Sequence, residues 1–225
     1  MHNWLGLAAG FGFIFALIGI AQFLWRIGAV ASTTSRKIVH IGVAHWWLIA
    51  MYFHDSAVYA SVGPIVFIAL NYYSHRTRLF EAMEDAAARG NLGTVYFPVS
   101  LLVLVMLSFG GGMPTYAAGI GVLTMGYGDG LASVVGRAVS RPAVTLFGGN
   151  KSLAGTATMF VASALVAGVF TYLAHPMRGG VLASVLWPAV VTGGVATAVE
   201  LFTPGGTDNL SVPLLTALFY TGVFA

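Results

Sequence analysis

The sequence predicts an all-α integral membrane protein, a polytopic bundle of eight transmembrane helices with seven as the alternative count. Three observations carry that reading. Of 225 residues, 58% are hydrophobic and only 8% are charged, whereas a soluble globular domain carries about 25% Asp, Glu, Lys and Arg. The apolar residues gather into eight runs of spanning type. The basic residues collect in alternate loops. Eight spans of about 20 residues leave roughly 65 positions for every loop and end, so residues 1–225 form one transmembrane domain with no room for a second, soluble one. The chain has no cysteine, which excludes disulfides, thiolate metal sites and cysteine nucleophiles. A net charge of +3 gives no reason to expect nucleic acid as a partner.

The runs lie at 4–25, 38–53, 56–73, 94–109, 116–137, 154–174, 181–201 and 210–224. The first has no basic residue before it and no small-residue cleavage site after it, so it reads as a retained helix rather than a signal peptide. The second and eighth are short for a bilayer, which calls for little tilt or for ends shielded by protein. Loop one holds Arg26, Arg36 and Lys37; loop three holds Arg76, Arg78 and Arg89; loop five, with its helix edges, holds Arg137, Arg141 and Lys151. Nine of the ten basic residues thus fall in odd loops, and Arg178 alone falls in an even one. Short basic loops stay in the cytoplasm, which places the odd loops there and both termini outside. In loop three, Arg76, Arg78, Leu79, Phe80, Met83 and the stretch to Ala88 suggest a short amphipathic surface helix holding spans three and four apart.

Several polar residues are hard to explain as packing. Asp129 lies in Met125-Gly126-Tyr127-Gly128-Asp129-Gly130-Leu131, inside an apolar run. An ionised carboxylate there costs about 2.5–3.5 kcal/mol, so it is expected to face a polar cavity. Gly126, Gly128 and Gly130 weaken the helix but let a ligand or another backbone approach the carboxylate. Lys151 and Ser152 open span six after a glycine-containing loop, where free N–H groups and the positive helix end favour an anion such as phosphate. The loop is not a Walker A motif, since Thr145 and Asn150 occupy the positions that motif gives to glycine. Glu200 closes span seven with no basic residue within twenty positions, and Asp208-Asn209 precedes span eight. Asn209 equally suits a helix cap. Arg36 and Lys37 are explained by anchoring, but His40 at the start of span two is not. His45, five residues on, is expected on a different face as packing or a pocket wall beside Trp46 and Trp47. The other histidines, His2, His54, His75 and His175, are too scattered for a metal cluster.

By loop parity, Asp129, Lys151, Glu200, Asp208 and the Arg36–His40 segment share one membrane face. Acids for a divalent ion, together with cations and helix N-termini for phosphates, are the parts of phosphoryl transfer. Mg2+ binds one or two carboxylates plus substrate phosphates, which suits Asp129 with Asp208 or Glu200.

At these residues the chain resembles the CTP-dependent polyprenol kinase family, which includes phytol kinase, dolichol kinase and the CTP-dependent diacylglycerol kinase. The matching segments are Arg36–Ile41, Asn91–Pro98, Gly128–Ala132 with Gly136-Arg137, Lys151–Thr156, and Glu200-Leu201 with Asp208–Pro213. They run in order from residue 36 to 213. The resemblance implies CTP as phosphate donor, Mg2+ or another divalent ion, and a membrane-embedded alcohol as acceptor, with phytol kinase the nearer analogy for so short a chain. It implies that Asp129 and Asp208 hold the metal, with Glu200 as a further candidate ligand. Lys151 and Arg137 then hold phosphates, while Arg36 and Lys37 complete the anion site beside Gly128, Gly130, Ser152 and Asn209. His40 and Glu200 are candidates for orienting or deprotonating the acceptor hydroxyl. Ala154 departs from the family's acidic residue at that place. Diacylglycerol as acceptor, a cytidylyltransferase making CDP-lipid, and a transporter stay open as alternatives, as does a homodimer. The acids gather at one face rather than along a path, which argues against transport. The compact size suggests a prokaryotic cell membrane.

Overall fold

The computed structural model describes residues 2–77, 92–139, 144–146, 149–174, 180, 182–204 and 206–225. The expected surface helix of loop three, with Arg78 and Arg89, falls outside them, as do Arg141, His175 and Arg178. The chain is helical nearly throughout, as its composition requires: α1 His2–Arg26, α2 Ser32–Ala44, α3 Trp46–Phe53, α4 Ala57–Thr77, α5 Gly93–Phe109, α6 Thr115–Leu123, α7 Gly130–Ala138, α8 Leu153–Ala174, α9 Trp187–Phe202 and α10 Asp208–Phe224. Two π-helical segments, Thr124–Asp129 and Leu182–Leu186, lead directly into α7 and α9.

Among the described residues, five stretches are long and apolar enough to cross a membrane: α1, α4, the continuous Thr115–Ala138 unit, α8 and Ala183–Phe202. The apolar α5 is shorter, and α10 has 17 residues. The expected run 38–53 differs from the structure in two ways. Its helix starts earlier, at Ser32, and it breaks at His45 into α2 and α3. The mixed polar sequence of Ser32–Lys37 hid that early start. Loop five is also not plain loop. Val144–Leu146 pairs antiparallel with Gly149–Lys151, with Val144 opposite Lys151.

Internal prolines test whether these helices can survive without water. Pro98 in α5 has no N–H for the carbonyl of Thr94 one turn earlier. Asn71 of α4 takes that place, its Nδ2 donating to Thr94 O at 2.7 Å, as a backbone group in an apolar medium demands. The core centres on α6, where every residue from Ala117 to Leu123 is buried. Around it lie Trp47, Leu104, Met125, Met159 and Tyr220, all fully buried. Large apolar side chains such as Phe23, Leu165, Leu173 and Trp187 point outward, the arrangement expected where the surroundings are lipid. Around the enclosed α6, the segments carrying Lys37, Asp129, Lys151, Glu200 and Asp208 come to one end of the bundle.

Candidate functional site

Asp129 ends the π-helical segment and is held from α2. Lys37 Nζ donates to Asp129 Oδ2 at 2.9 Å, and His40 Nε2 lies 3.3 Å from the same oxygen. His40 Nε2 is also 3.3 Å from the carbonyl of Met125. Two acceptors at one nitrogen place a proton there. The expected pairing of Lys37 with phosphate therefore competes with an existing partner, Asp129.

The glycines around Asp129 serve helix approach. A Cβ on Gly126 would come 2.4 Å from Ala44 Cβ, and one on Gly130 would come 2.4 Å from Ile41 Cγ1, both on α2. A Cβ on Gly128 would meet Met159 Sδ at 2.5 Å and Ser163 Oγ at 2.9 Å on α8. Of the two expectations for these glycines, ligand or neighbouring chain, the structure places protein against all three. Glycine contact continues along α7, where a Cβ on Gly136 would lie 2.8 Å from Ser152 Oγ and 3.6 Å from Gly155 Cα.

Lys151 ends the hairpin and forms an ion pair with Glu200 at the end of α9. Glu200 thus finds its cation 49 residues away in sequence, a pairing that no local spacing announces. Ser152 accepts from Gly155 N–H at 3.0 Å, the geometry of a helix N-cap, so its hydroxyl is engaged in starting α8. Asp208 opens α10 and is buried, just ahead of the apolar run. Its carboxylate accepts from Asn209 N–H at 2.9 Å and from Asn209 Nδ2 at 3.1 Å. Asn209 therefore supports Asp208 from within the first turn of α10 rather than capping it from outside.

Electrostatics unites these two halves. Burial first, and then the charge of Asp129, push the Asp208 carboxyl up to about 6, with Lys151 opposing and Glu200 adding to the rise. Asp129 in turn feels Lys37, His40 and Lys151. Lys37, His40, Asp129, Lys151, Glu200 and Asp208 consequently form one site. Arg36 adjoins it on α2, partly buried, and Arg137 lies exposed in the last turn of α7.

Two partly desolvated carboxylates are hard oxygen donors suited to Mg2+, and a divalent ion beside them would offset the part of Asp208's rise that comes from the charge of Asp129. Among the described residues no three His, Asp or Glu side chains form a cluster able to hold an ion alone. A site completed by substrate phosphates needs only one or two. Glu200 is paired with Lys151 and Asp129 with Lys37, but the charge of Asp129 is what most raises Asp208 after burial, so Asp129 and Asp208 are the pair a divalent ion suits. His45, expected as packing or a pocket wall, meets the Tyr127 hydroxyl at 2.9 Å, a pairing that sequence reasoning missed.

The chain is 35% identical over 218 residues to the phytol kinase of Synechocystis sp., an alignment covering 96% of this chain and 90% of that protein. No protein-family model matches the chain. No solved structure matches it.

Proposed function

The chain belongs to the polyprenol kinase family that includes phytol kinase, and on that premise we propose that it transfers the terminal phosphate of CTP to the hydroxyl of a membrane-embedded isoprenoid alcohol. The observation that carries this reading is that Asp208 lies within electrostatic reach of Asp129 and Lys151, each from a separate part of the chain. Asp129 and Asp208 would hold Mg2+, which when bound offsets negative charge on the donor's phosphate oxygens. Lys151, oriented by Glu200, holds the transferring phosphate; Arg137 and Arg36 bind the outer phosphates.

In the reaction the alcohol oxygen bonds to the terminal phosphorus while that phosphorus separates from the oxygen bridging to the β-phosphate. CDP leaves with the bonding pair, and the hydroxyl proton passes to a base. His40 suits that task better than Glu200. With its proton on Nε2 toward Asp129, its Nδ1 keeps a lone pair, whereas the Glu200 carboxylate is neutralised by Lys151.

The same reading places the site at the cytoplasmic face of a prokaryotic cell membrane, with both termini outside and α5 and α10 as short spans completing the count of eight. Support comes from the division of basic residues among the loops. Cysteines placed singly at the exposed positions Thr34 and Gly112 test it. An impermeant thiol reagent applied to intact cells should label Gly112→Cys and spare Thr34→Cys, and the reverse pattern would overturn the orientation.

Activity is tested with purified protein, labelled CTP or ATP, and phytol, geranylgeraniol, a polyprenol, diacylglycerol or a short water-soluble alcohol. The expected result is CDP release with an isoprenoid alcohol and little turnover of the short one. Pyrophosphate release would identify a cytidylyltransferase instead.

A further inference from the structure

The segment Thr124–Asp129 is π-helical over six residues. Such wider turns are rare, and most occur as single bulges near functional sites. Asp129 is its last residue, so the direction of that carboxylate depends on the turn keeping its register. Between Gly126 and Gly130 only Tyr127 and Asp129 carry side chains. Asp129 is held by Lys37 and His40. Tyr127 extends to His45, its hydroxyl 2.9 Å from Nε2 and the two rings edge to face at 5.3 Å.

The other nitrogen of His45 sets the polarity of that contact. His45 Nδ1 lies 3.0 Å from the carbonyl of Ile41 and 3.3 Å from that of Gly42, at the end of α2, where the backbone N–H of His45 itself turns to Gly42. Nδ1 therefore carries the proton, Nε2 accepts, and Tyr127 donates. His40 and His45 were expected on different faces of one helix. The break at His45 instead lets both engage the same π turn, His40 at Met125 and Asp129 and His45 at Tyr127.

We propose that Tyr127 and His45 are a positioning pair that locks the register of the π turn and so aims Asp129 at the metal it is assigned. The proposal rests on the role given above to Asp129. Neither residue touches the reacting atoms.

Tyr127→Phe removes the hydroxyl and keeps the ring, so it is the cleanest probe. Hydrogen exchange by mass spectrometry should be faster in peptides covering residues 124–130 and unchanged in α10. With the kinase substrates, kcat should fall about five- to tenfold, the scale of one neutral hydrogen bond. The Mg2+ concentration for half-maximal rate should rise, and KM for the alcohol should stay as it was. His45→Ala should give the same pattern, and the double variant should add little to either single one. Wild-type exchange in Tyr127→Phe, or fully additive losses in the double variant, would overturn the pairing. A loss of rate with unchanged exchange would also overturn it, because the hydroxyl would then act directly. Asp129→Asn separates the two levels. If that variant is inactive while Tyr127→Phe behaves as wild type, only the positioning pair fails; if Asp129→Asn is active, the role of Asp129 itself fails.

Discussion

The two ends of the bundle solve the same problem with different chemistry. At the end where α1 begins, Asn3 ties down the turn between α3 and α4. Its Nδ2 donates to Asp55 Oδ1 at 2.6 Å, and its Oδ1 accepts from Asp55 N–H at 3.2 Å and from His54 Nδ1 at 3.3 Å. Nearby, Trp47 Nε1 donates to Thr115 O and Tyr220 meets Thr171. These contacts connect neutral donors to local acceptors and hold helix ends together. At the opposite end, Asp129 and Asp208 lie with Lys37, His40, Lys151 and Glu200, and burial first, then the charge of Asp129, holds the Asp208 carboxyl up at about 6. Polar contacts that satisfy one another, like those at the first end, are architecture. Burial that raises one acid beside another is the pattern expected of a functional site.

Carboxylate removal at each end should divide these roles most sharply. Asp129→Asn keeps shape and deletes charge, and should lower initial CDP release about a hundred- to a thousandfold, the usual scale for one transition-state charge contact, while the protein still purifies folded. Asp55→Asn should stay within about twofold of wild type, a difference of less than about 0.5 kcal/mol. Retention of more than about a tenth of wild-type rate by Asp129→Asn, under about 1.4 kcal/mol, would make Asp129 a packing residue. Next in size is the Lys151–Glu200 pair. Lys151→Met should cost about ten- to a hundredfold in kcat, and Glu200→Gln less, as expected when only an orienting partner is lost; a larger effect from Glu200→Gln would return it to the metal or base role.

Smaller effects concern stability. Gly126→Ala drives a methyl against Ala44 and should destabilise by about 1–3 kcal/mol, as overpacking does, read from thermal unfolding in detergent. Asn3→Ala should lower stability by about 1 kcal/mol with unchanged kcat. Ser152→Ala, removing a cap, should cost a similar amount, about 1 kcal/mol, but at the site end it should also lower kcat by disturbing Lys151. Equal kinetic silence in both would mean that the cap and the site are independent.

How much of this was legible in the sequence depended on range. Helix α8 emerges almost where the apolar run places it, because Lys151 and Ser152 mark its start by charge and cap. Asp129 on the π segment, Glu200 on α9 and Asp208 on α10 stood out as candidates because a charge within or beside an apolar run is conspicuous. Their pairings did not. Lys37 with Asp129 spans 92 residues and Lys151 with Glu200 spans 49, and no local period encodes either. The break at His45 and the π turn at Thr124–Asp129 were equally hidden, since both stretches read as continuous apolar helix. Glycines at 126, 128 and 130 announced close approach without saying by what. Only the packed structure identifies α2 and α8 as the neighbours.

The account stands on Asp129 and Asp208 acting as one divalent-ion site, and Mn2+ binding in the presence of CTP, followed by electron paramagnetic resonance, tests that most directly. Wild-type protein should bind a single Mn2+ tightly, and Asp129→Asn and Asp208→Asn should each abolish that binding, while Glu200→Gln retains it. Tight Mn2+ binding that survives Asp208→Asn, or that disappears with Glu200→Gln alone, would contradict the assignment.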